Sequence, residues 1–138
     1  MYAPHFRLKS FDTISDPQKF GVMRYLLEAL TQANIAFLLR VPHTPDLYGS
    51  GVRYLAEPDG RDEWQDIPDT LLRMNGDCED LACWRVAELR VRSSEPATHR
   101  ITVSELPDTK GHLVTTYHIT VLRGDGRVED PSRALGMK

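Results

Sequence analysis

The sequence predicts an α+β fold in which helices precede a run of antiparallel strands. Three observations carry this. Apolar residues recur at helical spacing after Ser15 and again after Asp77. The period switches to two after Pro96, and Gly124-Asp125-Gly126 separates two extended segments as a hairpin turn. Helices followed by consecutive strands form an α+β layout rather than a wound parallel one.

The first helix is expected from about Asp16. Ser15 and Gln18 fit a capping box, and Pro17 occupies the first turn, where its missing N–H costs nothing. Phe20, Met23, Leu26, Leu27 and Leu30 form its apolar stripe to about Gln32. Asn34 is a candidate end, yet the apolar run Ile35–Leu39 favours continuation to about Arg40. From Val41 to Pro68 prolines and glycines punctuate a long loop, with Val52-Arg-Tyr-Leu as a short extended piece. Structureless loops of that length are uncommon and are usually functional or mobile. A short helix is expected over Asp69–Met74, ending at Asn75-Gly76. The second strong helix is capped by Asp77, with Asp80 as reciprocal partner, and ends near Arg92 before Ser93-Ser94 and Pro96. Its buried face is Leu81, Ala82, Val86 and Leu89; Arg85, Arg90 and Arg92 are expected on a solvated face. Strands then cover about His99–Glu105, His112–Arg123 and Arg127–Asp130, where Pro131 stops the pairing.

At 138 residues the chain suits one domain spanning 1–138, with enough length to bury a core without staples. Seventeen basic and twenty acidic residues leave a net charge of −3, which supplies no global attraction to nucleic acid or to an anionic membrane. No apolar run approaches the roughly 18 residues of a membrane span, and the start lacks a secretory pattern, so the expectation is a cytoplasmic protein. Cys78 and Cys83 match neither a disulfide framework nor a zinc spacing. His5, His43, His99 and His112 complete no zinc set, and no phosphate loop or serine elbow is present.

Cys78 lies in Gly76-Asp77-Cys78-Glu79-Asp80 at the first turn of a helix. Free N–H groups and the helix dipole there favour a thiolate, whereas the three carboxylates oppose it. Position alone therefore favours a small core cysteine, and an imidazole is needed to activate it. His118, in the middle of the longest strand, is the candidate. Asp130 lies twelve positions on, across the glycine turn. An odd-numbered hairpin loop, with Gly126 left-handed, puts both side chains on one face, opposite or diagonal, about 5–8 Å apart. An even loop puts them on opposite faces. Nucleophile, base and orienter would then be assembled for covalent catalysis. Trp64 either walls a cleft or anchors its loop to the core, and Gln65 could donate to an oxyanion. Asp77, Glu79 and Asp80 offer hard oxygen ligands, against the plainer role of capping a helix.

Trp64-x-x-x-Pro68, Gly76-Asp-Cys-Glu-Asp80 at a helix start, His118 in a strand and Asp130-Pro131 after a short hairpin resemble the transglutaminase-like cysteine proteinase superfamily. The likeness covers about Trp64 to Asp130 and extends to bacterial transglutaminase-like cysteine peptidases and small phage and prophage versions. It implies a papain-like fold, N-terminal helices packed on a C-terminal antiparallel sheet. It implies a catalytic triad with Cys78 as nucleophile, His118 as general base then acid, and Asp130 as orienter. The Cys78 N–H would form part of an oxyanion hole, with Trp64 or Gln65 as second contributors. It also implies calcium beside the cysteine in some relatives, which points to Asp77 and Asp80; no other cofactor is expected.

The expected function is thiol-dependent acyl transfer, most simply a hydrolase: a cysteine protease or amidase acting on a peptide or isopeptide bond. The expected partner is a protein or peptide substrate, with no nucleic acid and no membrane. The rival is a non-catalytic phage or prophage assembly protein that keeps the fold, binds an assembly partner and is virion-associated.

Overall fold

The computed structural model describes residues 6–7, 16–57 and 63–138. Ser15, half of the expected capping box, and His5 lie outside them. Helix α1 spans Asp16–Arg40. Met23, Leu27 and Leu30 of the stripe are buried. Asn34 does not end the helix. It is buried in mid-helix, where its Oδ1 accepts the Ile67 N–H at 2.9 Å, so a buried acceptor is satisfied by the next segment's orphan donor.

Helix α3 (Cys78–Arg92) is the axis of the molecule. One side packs into a cluster with Leu27, Leu30, Trp64, Ile119 and Val121. The other packs into a cluster with Leu38, Leu47, Val52, Ile67 and Leu135. Each such fully buried side chain is worth about 1.5–3 kcal/mol relative to exposure. Because apolar contacts surround α3, Arg85 and Arg90 are not on a solvated face, whereas Arg92 is exposed as expected. Arg85 pairs with Glu129, Arg90 pairs with Glu28 and donates to the Ala97 carbonyl, and Arg92 reaches Asp46 and the Thr44 carbonyl. Those pairs fasten the helix to its neighbours.

The described residues between 41 and 68 have more order than their composition suggests. A 3₁₀ turn at Leu47–Gly49 seats buried Leu47, whose N–H donates to Glu88 at 3.1 Å. Strand β2 (Arg53–Tyr54) pairs in parallel with β4 (Asn75–Gly76), and β1 (Phe6–Arg7) pairs antiparallel with β3 (Glu63–Trp64). Between them α2 (Ile67–Arg73) starts at Asp66, whose side chain accepts from the Asp69 N–H, and stops at Met74 with φ 60°.

The sheet has the order β5–β6–β7: Thr98–Pro107, Leu113–Leu122 and Val128–Glu129. Strands β5 and β6 pair throughout, from Thr98 opposite Leu122 to Pro107 opposite Leu113, whereas β7 adds only Val121–Glu129 and Leu122–Val128. Ile119 and Val121 are buried against the helices, while the turn end of the β5–β6 hairpin is exposed on both strands. Asp130 then caps a short α4, Pro131–Ala134. The architecture is α+β, with helices packed on an antiparallel sheet. No helix of the described residues is long and apolar enough to cross a membrane.

Candidate active site

Four short-range constraints place Cys78. Gly76 lets the chain pass close to α3: a Cβ there would meet Asp80 Cβ at 3.1 Å and Leu81 Cδ2 at 3.4 Å. Asp77 and Asp80 form the expected reciprocal cap, with Asp80 Oδ2 accepting the Asp77 N–H at 3.1 Å. Asp80 Oδ1 also accepts the Gln65 N–H at 2.7 Å, which ties the helix start to the preceding loop. Cys78, half-buried, packs against the cluster that holds Ile119.

The hairpin settles the parity condition. Arg123 N–H donates to the Arg127 carbonyl at 2.7 Å, which leaves Gly124, Asp125 and Gly126 as a three-residue loop. Gly126 is left-handed at φ 91°. With Val121 opposite Glu129, Asp130 falls diagonal to His118 on the same face. His118 Nε2 lies 2.9 Å from Asp130 Oδ2. Asp130 Oδ1 meanwhile accepts the Arg133 N–H at 3.3 Å, so helix capping and imidazole binding hold the same carboxylate from two sides. Its neighbour Glu129 accepts from Tyr48, Arg85 and Arg123, which pins β7 to α3 and to the end of β6.

The opposite flank of Cys78 is built from acids. Carboxylate oxygens of Glu57, Asp77 and Asp80 lie within 4.8 Å of one another. They line a cavity of about 130 Å³ together with Gln65 and Gly76. Asp77 Oδ1 and Glu79 Oε2 are buried without a hydrogen-bond partner, and among the described residues no Lys or Arg pairs with Asp77, Glu79 or Asp80. Burial pushes the Asp77 carboxyl up to about 9, and burial with mutual repulsion pushes Glu79 and Asp80 up as well. Burial first, then Glu79 and Asp77, raises the Cys78 thiol, against the lowering effect of the Ile119 N–H. Glu57, the residue that completes the cluster, carried no signal in the sequence because it sits in an irregular loop.

No protein-family model matches this chain, and neither does any curated protein or solved structure.

Trp64 is buried in the α1–α3 core, so of its two candidate roles it performs the anchoring one. Gln65 is buried, and its Nε2 faces Asn75 O at 2.9 Å and Thr70 Oγ1 at 3.4 Å; these bonds occupy the amide hydrogens that an oxyanion would need. A residue missed in the sequence is Tyr54. Burial raises its phenol, and so do Cys78, Asp77, Glu79 and Asp130. The pairing of β2 with β4 sets it opposite Gly76, a contact between segments twenty-two residues apart with no local signature.

Proposed function

We propose that this protein is a thiol-dependent acyl-transfer enzyme with Cys78, His118 and Asp130 as its triad. The observation that carries the reading is the His118 Nε2–Asp130 Oδ2 bond of 2.9 Å on β6, the strand whose Ile119 belongs to the cluster that Cys78 packs against. Asp130 holds Nε2, which leaves Nδ1 as the nitrogen for the thiol. Burial and the neighbouring carboxylates raise the Cys78 thiol, which favours activation by a general base over a standing thiolate. Nδ1 takes the thiol proton as sulfur adds to the carbonyl carbon of an amide. The N–H of Cys78, an orphan donor at the helix start, stabilises the oxygen that gains charge. Collapse breaks the C–N bond, His118 gives its proton to the leaving nitrogen, and a thioester remains. Water attacks the thioester carbon, loses a proton to His118, and the sulfur leaves and is reprotonated. A cysteine peptidase or amidase acting on a peptide or isopeptide bond is the simplest enzyme of this kind, on the papain-like fold that the motif order suggests.

Three carboxylates with crowded oxygens suit a hard dication such as calcium, which takes oxygen ligands at 2.3–2.6 Å. Glu57, Asp77 and Asp80 would hold it. Once bound it would offset the negative field that opposes ionisation of Cys78.

The reading is tested with p-nitrophenyl acetate. The native protein should release about one equivalent of p-nitrophenolate in a burst and carry an acetyl group on Cys78 by peptide mapping. His118→Ala should lose the burst by roughly 10²-fold or more. A Cys78 acetylated no faster than in His118→Ala would leave the rival standing, a non-catalytic phage assembly protein.

A further inference from the structure

Strand β2 carries a second proton donor toward the start of α3. Tyr54 stands in register with Gly76 on the parallel partner strand, and the next residue, Leu55, donates its N–H to the Gly76 carbonyl at 2.9 Å. Residues in register on paired strands put their side chains on the same face of the sheet. The face at Gly76 is fixed by what a Cβ would meet there: Asp80 Cβ at 3.1 Å, Asp80 Oδ2 at 3.3 Å and Leu81 Cδ2 at 3.4 Å. That face looks onto the first turn of α3, so the Tyr54 side chain leaves its strand toward the turn that opens with Cys78. Glycine at 76 puts no side chain beside the ring.

The backbone of Tyr54 is fastened on its other side. Its N–H donates to the Leu135 carbonyl at 3.0 Å, at the end of the short helix that Asp130 caps. The ring packs against the cluster that holds Leu81 and Leu135. Strand β2 is therefore held between the segment that enters Cys78 and the segment that leaves Asp130, and the ring's place is set from both.

The hydroxyl itself is unspent. Tyr54 is half-buried, and no acceptor among the described residues takes its O–H. Burial, then Cys78, Asp77, Glu79 and Asp130, raise the phenol, so its oxygen keeps the proton that a donor needs. The side chains first expected to serve an oxyanion are committed elsewhere: Gln65 Nε2 faces Asn75 O and Thr70 Oγ1, and Trp64 lies in the α1–α3 core.

We propose that the Tyr54 hydroxyl is the second donor of the oxyanion hole, acting with the Cys78 N–H on the carbonyl oxygen as sulfur adds to the carbon. This rests on the acyl-transfer reading and completes its site. The hydroxyl hydrogen stays on the phenol throughout. The substrate oxygen gains charge as the C–S bond forms and gives it up as the C–N bond breaks. A donor aimed at charge that develops in the transition state changes the rate of acylation rather than affinity for the substrate.

The experiment compares two reactions of one sulfur. p-Nitrophenyl acetate reacts at a carbonyl carbon, whose oxygen becomes an oxyanion. Iodoacetamide reacts at a saturated carbon with loss of iodide, and no oxygen gains charge. Tyr54→Phe keeps the ring that packs against Leu81 and Leu135 and removes only the hydroxyl, so its melting temperature should stay near native. Its p-nitrophenolate burst should slow by roughly 10²-fold, the cost of one lost oxyanion donor. Alkylation of Cys78, mapped apart from Cys83, should keep the native rate, which also shows that the variant's site is folded. Equal slowing of both reactions, or an unslowed burst, overturns the proposal. A native protein without a burst removes the acyl-transfer reading and this donor with it, whereas a native burst that Tyr54→Phe leaves intact removes the donor alone.

Discussion

The two flanks of Cys78 follow opposite electrostatic designs. On the β6–β7 side the polar groups are paired: His118 with Asp130, and Glu129 with Tyr48, Arg85 and Arg123. On the α3 side Asp77, Glu79 and Asp80 are crowded together, and Asp77 Oδ1 and Glu79 Oε2 are buried without a hydrogen-bond partner. A satisfied flank costs little to maintain and fixes geometry, whereas a crowded one stores unfavourable energy that protons or a cation relieve. Orientation and charge control are thus separated on the two sides of one sulfur.

The largest effect should come from breaking the satisfied flank. Asp130→Asn retains an oxygen to cap α4, so its thermal stability should stay near native, yet acylation of Cys78 should fall by roughly 10³-fold because the imidazole loses its carboxylate. Asp130→Ala should lose the same activity and about 1 kcal/mol of stability besides, through the missing cap. Thermal melts alongside the p-nitrophenolate burst separate the two roles.

Much of that flank was legible in the sequence. The order Cys78, His118, Asp130, the left-handed Gly126 and the three-residue loop all lie in local signals, and parity converts them into a shared face. The crowded flank was half legible: Asp77 and Asp80 announce a helix cap, but Glu57 and Tyr54 arrive through β2–β4 pairing, which depends on tertiary packing. Arg85 was misread because the helix pattern shows one apolar stripe, whereas α3 is packed on two sides, and a charged residue there must find a partner. Gln65 was misread because a donor adjacent to a site looks free until its loop bonds are known.

A buried base elsewhere sharpens the comparison through pH. His99 donates to or accepts from Thr31 Oγ1 at 2.6 Å in the core, and burial pushes its imidazole down to about 4 from 6.5. Unfolding releases it to take a proton, so its contribution is complete above pH 6.5 and is lost as pH falls toward 4, by roughly 3 kcal/mol. The difference in denaturant stability between native protein and His99→Gln should narrow over that window.

Buried acids run the other way. Asp77, raised to about 9 from 3.8, is protonated when folded and ionised when unfolded between those values, so stability should fall as pH rises through that range. Asp77→Asn should flatten the fall by several degrees of melting temperature, and millimolar calcium should raise the melting point more at pH 8 than at pH 5. A melting curve with the same pH slope in both proteins would remove the stored repulsion from the account. The smallest effect is expected from Glu129→Gln, which keeps its hydrogen-bonding oxygen but weakens two arginine contacts; about 1 kcal/mol in urea denaturation should be lost.

The most direct test of the central claim is the rate at which iodoacetamide alkylates Cys78 at pH 7, with Cys83 mapped separately, in native protein and His118→Ala. Burial and three carboxylates leave this thiol protonated on its own, so the imidazole must account for its reactivity. The account predicts a rate at least about ten-fold lower in His118→Ala; equal rates in the two proteins would contradict it.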